Sequence, residues 1–288
     1  MSVCVCILCG TAQNRIVAVD DRKVTFDDFS ADGAVWKAVG LTKGYWLQYA
    51  GNDVEKAPQV IEAARQHIQH TDDAGLEVGH DFILQSLQNA WREVRDREIE
   101  SRFLRKHGFT FESFRDEGKQ KCSEAVYDQL HDRIDRFKLS LEFLVAGFER
   151  GFGRINHLDS QGSLNCYDDL GFWAIGSGAH AALSSLAFHV DKGNLRYSQP
   201  VEVAAYFACE AKFMAESSTA VGKETSLIVH GADVPAFIGE SQLAAIRRKW
   251  LKQGAPKPSK TVTSDLKKLI DAEFKLGSQL LKPHGEEE

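Results

Sequence analysis

The chain has 288 residues, 43% of them apolar and 26% charged, with a formal net charge of −6. These values fit a globular protein with a large core, in one broad domain or two smaller ones, and exclude a disordered, collagen-like or coiled-coil chain. No apolar stretch approaches the roughly 20 residues of a membrane-spanning helix, and the negative charge gives no general electrostatic reason to bind nucleic acid or an anionic membrane.

The N-terminal MSVCVCILCGTAQNR has no basic residue ahead of its short apolar run. That makes a poor secretory signal, so a cytoplasmic location is expected. Strand-like runs come first, at Val3–Leu8, Ile16–Val19, Val35–Val39 and Tyr45–Tyr49, with GTAQNR as a hairpin connection. The first run reads as a fully buried strand. Its C-x-C-x-x-C spacing raises metal binding, but strand alternation sends Cys4 and Cys6 to one side and Cys9 to the other, so core packing is preferred. The six cysteines are too sparse for a disulfide scaffold, and Cys122, Cys166 and Cys209 read as buried or incidental.

A helix follows with Val60, Ile61, Ala64 and Ile68 on one face, and a second from about His80 to Lys106 with Ile83, Leu87, Ala90, Trp91 and Val94 as its stripe. Residues 107–137 are charged and aromatic, with Val126, Leu130 and Ile134 at helical spacing, and read as a solvated helical segment in preference to a partner surface. Strands return at Leu141–Phe148, Arg154–Leu158 and Phe172–Ile175, with GFGR as a hairpin turn. Two helices, Ala179–Val190 and Gln199–Ser217, precede a strand at Ser226–His230. A short helix at Gln242–Lys252, a GAPKPSK linker and a last helix over Ser264–Leu281 complete the chain. Arg247, Arg248, Lys249 and Lys252 read as a solvated helix face. Clustered strands alternating with helix pairs predict an α+β layered sandwich of two mainly antiparallel sheets with helices outside them.

Three local sequences carry a resemblance. IVAVDDRKVT (Ile16–Thr25) has small apolar residues, then an acid, then two bases. WKAVGLTKGYWLQYAG (Trp36–Gly51) has a lysine, a strand, a turn, a second strand and a terminal Ala-Gly. DLGFWAIGSGAHAAL (Asp169–Leu183) has a strand, Gly-Ser-Gly and a helix. In order and spacing these are similar to the motifs of proteasome β-subunits and their bacterial peptidase relatives. The resemblance covers roughly residues 2–231, apart from an insertion at about 107–137, and leaves 232–288 as a helical C-terminal extension. It implies the four-layer αββα sandwich of N-terminal nucleophile hydrolases. It also implies a peptide or protein substrate, no metal or organic cofactor, and self-assembly into a ring or a helical array. An unfoldase is a partner class of that family, which nothing in this sequence identifies.

Such enzymes attack an amide with the side chain of their own first residue. A hydroxyl needs a base beside it, and a free α-amine, with an unperturbed pKa of roughly 7.7–8.0, supplies one on the same residue. By the resemblance Ser2 is the nucleophile, in place of the family's threonine, and becomes N-terminal only when Met1 is removed. A small second residue is what methionine aminopeptidase generally accepts. Asp21 takes the acid position and pairs with Lys37, which acts as electrostatic partner and proton relay. Asp20 is the alternative acid, but alternation sends it to the opposite face. Lys23 matches the motif's second base. Gly51 offers an oxyanion-binding backbone N–H, and Ser177 binds the α-amine. Glu216 stands where the family has an aspartate and Thr219 where it has a serine.

Two other readings stand beside this one: a non-catalytic assembly subunit of the same fold, and a small-molecule amidase. His67, His70, His80 and Asp81 read as polar helix ends rather than metal ligands, and His180 as a helix-start residue. AIGSGA does not meet GxSxG, which disfavours the α/β-hydrolase reading.

Overall fold

The computed structural model describes residues 2–11, 14–26, 29–31, 36–73, 78–193, 195, 198–231, 235–253 and 259–280. Among these residues no helix is long and apolar enough to cross a membrane. The chain divides into two compact units, one of Met1–Asn52, Glu142–His157 and Asn165–Glu288, the other of Asp53–Leu141 and Leu158–Leu164.

In chain order, β1 (Cys4–Cys9) and β2 (Arg15–Asp21) come first. They are followed by a two-stranded antiparallel ribbon, β3 (Val24–Phe26) and β4 (Phe29–Ala31), and by the hairpin of β5 (Ala38–Thr42) and β6 (Tyr45–Gly51). Four helices belong to the other unit: α1 (Ala57–Asp73), α2 (His80–Ile99), α3 (Phe111–Lys121) and α4 (Glu124–Arg136). The chain continues through β7 (Leu141–Glu149), β8 (Phe152–Leu158), β9 (Leu164–Cys166) and β10 (Phe172–Ile175). Helices α5 (Ala179–Asp191) and α6 (Val201–Ala215) lead to β11 (Thr225–His230), β12 (Ala236–Ile238), α7 (Glu240–Gln253) and α8 (Lys260–Leu280).

The first unit is mixed α+β. One five-stranded sheet has the order β10-β1-β2-β11-β12, every neighbouring pair antiparallel. The other has the order β5-β6-β7-β8-β9. All six residues of β1 are buried, because the first sheet is covered on both faces. Val5, Ile7, Cys9, Val17, Val19, Leu227 and Val229 pack in a core that includes Ala204, Ala205, Phe207, Ala208 and Ala211 of α6. Alternate residues Cys4, Cys6, Leu8, Ile16, Ala18 and Ile228 pack instead with Ala50, Leu144, Ala146 and Ile155 of the second sheet. Cys4 and Cys6 therefore face the inter-sheet core, and Cys9 the helix side, as the alternation predicts. The turn between β7 and β8 is Arg150–Gly151, at φ 50° and 85°, so of the GFGR expected as a turn only Gly151 serves and Phe152, Gly153 and Arg154 already belong to β8.

In the second unit the long helix expected to Lys106 ends at Ile99 and gives way to a π turn (Glu100–Leu104) and a 3-10 turn (Arg105–His107), stopped by Gly108 at φ 80°. Segment 107–137 is helical and largely exposed, as expected, but it forms two helices with a small core. Phe109, Phe114 and Leu130 are buried in a small core with Ile99 and Leu104. A reciprocal Thr110–Ser113 capping box starts α3.

Candidate active site

The antiparallel register pairs Cys4 with Asp20, so the residues just outside it, Val3 and Asp21, face each other at the mouth of the β1–β2 pair. The Asp21 backbone N–H donates to Val3 O at 3.2 Å. The Asp21 carboxylate in turn accepts from Val3 N at 2.9 Å and Lys37 Nζ at 2.7 Å on Oδ1, and from Gly222 N at 2.8 Å on Oδ2. Asp21 and Lys37 are 0% and 2% exposed. A buried ion pair loses much solvation, and good geometry with further hydrogen bonds is needed to offset that loss. Two backbone N–H groups supply such bonds on the carboxylate.

Ser2, 1% exposed, is held by the turn after β10. Its backbone nitrogen donates to Ser177 Oγ at 3.1 Å, while Ser177 Oγ and Gly178 N donate to Ser2 O at 3.2 and 3.1 Å. Gly176 has φ +88°, and a Cβ there would stand 2.4 Å from Ser2 O and 3.0 Å from Ala50 Cβ. Only glycine fits that position, on grounds of both backbone and space. Ala50 lies against this turn, and Gly51, the next residue, ends β6 at φ 137°.

Ser2, Asp21, Lys37 and Ser177 are thus brought together, while Gly51 stands at the end of β6 in the other sheet, next to the Ala50 that meets the Gly176 turn. Glu216 and Thr219 are not part of that group. Glu216 accepts from Lys212 Nζ at 2.5 Å and from Arg247 Nη1 at 2.6 and 2.7 Å, and the Thr219 carbonyl accepts from Lys23 Nζ at 2.9 Å. Among the described residues neither side chain bonds Ser2, Asp21, Lys37 or Ser177. The same loop contributes Gly222 instead, whose backbone N–H leaves no mark in a sequence. Arg247 also departs from the solvated face expected of it, with a side chain only 18% exposed.

Asp20 points the other way from Asp21. Its carboxylate accepts from Ser226 Oγ at 2.8 Å and Gln48 Nε2 at 3.3 Å, which ties β2 to β11 and β6. Burial pushes this carboxyl up to about 6, against the opposing pull of those two hydrogen bonds. Burial also raises the Cys4 and Cys6 thiols and pushes Cys9 up to about 12, which keeps them protonated and poor metal ligands. Among the described residues no three or more His, Cys, Asp or Glu side chains are gathered for a metal.

The arrangement offers a hydroxyl beside a chain terminus, a buried ammonium–carboxylate pair one residue away, and a strand-end glycine N–H. A serine hydroxyl of this kind needs a base beside it before it can act as a nucleophile. No protein-family model matches the chain, and a search of curated proteins finds no match.

Proposed function

We propose that this chain is an N-terminal nucleophile hydrolase with the four-layer αββα sandwich of proteasome-like peptidases, and that Ser2 is its nucleophile after removal of Met1. The observation that carries the reading is the Asp21 carboxylate, which grips both the Lys37 ammonium and the backbone N–H of Val3, next to Ser2. Ser2 Oγ attacks the carbonyl carbon of a peptide bond and passes its proton to the free α-amine, which Ser177 orients. The Gly51 N–H stabilises the tetrahedral oxyanion. Collapse expels the substrate amine, which leaves with the proton, and forms an ester on Ser2. Water then attacks the ester, releasing the acid and restoring the hydroxyl. Lys37 stabilises developing negative charge on Oγ. The reaction calls on no metal or organic cofactor. Assembly into a homo-oligomeric ring or helical array and a cytoplasmic location go with this reading.

A second reading has its own support. Ser2 is 1% exposed in the chain that carries Met1, as expected of a non-catalytic subunit that keeps the Asp21–Lys37 pair for folding alone. Turnover of a peptide panel beside simple amides separates the cases. Hydrolysis of peptides that is lost in Ser2→Ala and kept in Ser2→Thr supports the peptidase. Hydrolysis of simple amides alone points to an amidase. No Ser2-dependent hydrolysis, with Met1 shown to be absent, overturns the proposal.

A further inference from the structure

Lys212 of α6 is wholly buried, and its three ammonium protons have three acceptors: Glu216 Oε1 at 2.5 Å, Gly222 O at 2.8 Å and Lys223 O at 2.9 Å. One cation thus holds two successive carbonyls of the irregular loop between α6 and β11, the loop whose Gly222 N–H donates to Asp21 Oδ2. Lys212 is itself costly to bury, and burial lowers its pKa while Glu216 opposes that shift. Glu216 is fixed in turn by α7. Arg247 Nη1 reaches both of its oxygens, at 2.6 and 2.7 Å. Arg247 Nη2 donates to Thr225 Oγ1 at 2.8 Å and also to Lys223 O, and the guanidinium sits 4.3 Å from the centre of the Phe213 ring. A planar fork that meets two carboxylate oxygens, a carbonyl and a hydroxyl at once has one orientation, which a lysine cannot reproduce.

We propose that α7 is a positioning element for the Ser2 centre: Arg247, through Glu216 and Lys212, fixes the loop that presents the Gly222 N–H to Asp21. The loop has no helix or strand of its own: Val221 anchors its middle in the main core, Lys23 holds the Thr219 carbonyl, and Gly222 and Lys223 are held by the bonds to Lys212 and Arg247. Without Arg247, Glu216 loses the partner that aims it at Lys212, and the ammonium is free to release the Gly222 and Lys223 carbonyls. The C-terminal extension is then a working part of the centre, and displacement of α7 lowers Ser2 reactivity. The catalytic half of this inference rests on the proposed hydrolase reading; the structural half does not.

Two readouts on the full chain keep those halves apart. Amide hydrogen exchange over residues 217–224 reports the Gly222 bond directly. Acylation of Ser2 by a β-lactone, resolved into a maximal rate and an inhibitor binding constant, reports the chemistry. In Arg247→Met the exchange of that segment is expected to quicken about tenfold or more, with exchange over β1 and β2 unchanged. The maximal acylation rate is expected to fall about tenfold, with the binding constant held within about threefold. Added methylguanidinium restores the rate in Arg247→Ala, and Arg248→Met behaves as wild type. Arg247→Lys is carried alongside, so that one variant failing to fold does not decide the matter; it should recover only part of the effect. Unchanged exchange at 217–224 in both Arg247→Met and Arg247→Lys overturns the proposal. Wild-type protein that is never acylated overturns the hydrolase reading, and the exchange result alone then decides whether Arg247 holds the loop.

Discussion

Lys37 Nζ lies 2.7 Å from Asp21 Oδ1, with the two side chains 2% and 0% exposed. Full burial makes this pair asymmetric under mutation, since removal of one member strands the other charge. Asp21→Asn is expected to destabilise the protein by about 3–5 kcal/mol, and Lys37→Met by a similar amount. The double variant should recover a large part of that loss, because no unpaired charge remains. Urea denaturation of the four proteins measures the coupling. Strictly additive losses would show that the pair is not held as described.

Gly176 gives a sharper test of how the Ser2 backbone is held. A left-handed conformation costs an ordinary residue about 1–2 kcal/mol, and the added methyl would also meet Ser2 O at 2.4 Å. Gly176→Ala should therefore lower the melting temperature and abolish Ser2 acylation. Gly44→Ala, where nothing lies within 4 Å of the added methyl, should do neither.

Asp20 makes stability depend on pH in a defined window. Its folded-state pKa of about 6 lies above the ordinary 3.8, so the native state binds the proton more tightly than the unfolded chain. This group's contribution is therefore fully present below about pH 4 and is lost as pH rises through about 6. The interval is worth roughly 3 kcal/mol. Denaturation curves of wild type and Asp20→Asn at pH 4 to 7 should differ by a pH-dependent amount of that order. The wild type should gain relative to the variant as pH falls. A constant difference would contradict the environment described for Asp20.

The cysteines divide by burial. Cys4, Cys6, Cys9 and Cys209 are buried, Cys122 is intermediate and Cys166 is exposed. A thiol-specific disulfide reagent should modify Cys166 first in the native protein and the four buried thiols only on denaturation. Burial also raises the Cys166 thiol, so its reaction should still be accelerating above pH 8. Rapid native modification of Cys4 or Cys6 would contradict the inter-sheet core.

Ser2, Lys37, Gly51 and Ser177 were legible only through the resemblance of three short motifs, whereas period-two alternation decided which way neighbouring residues face. It separated Cys4 and Cys6 from Cys9, and Asp20 from Asp21, and both separations appear in the structure. Strand β10 was readable in full, since FWAI lies between clear turn signals. The three-residue strands β9 and β12 are too short to carry a pattern. Beyond Ile99 helical spacing persists in the sequence while the backbone shifts to π and 3-10 turns, so the end of α2 could not be read. The core of 107–137 was visible only as the spacing of Val126, Leu130 and Ile134 and as scattered aromatics among charges. Glu216 was misleading for a different reason. Its partner Arg247 lies 31 residues away, and nothing local says that a carboxylate will turn towards a later helix. Gly222 acts through its peptide, which every residue except proline shares.

The intact mass of natively expressed protein, taken before and after exposure to a β-lactone, bears most directly on Ser2. Loss of one methionine and a single adduct that disappears in Ser2→Ala is the expected result. Protein that has lost Met1, keeps its fold and gains no adduct would contradict Ser2 as a nucleophile and leave Asp21 and Lys37 as a structural ion pair.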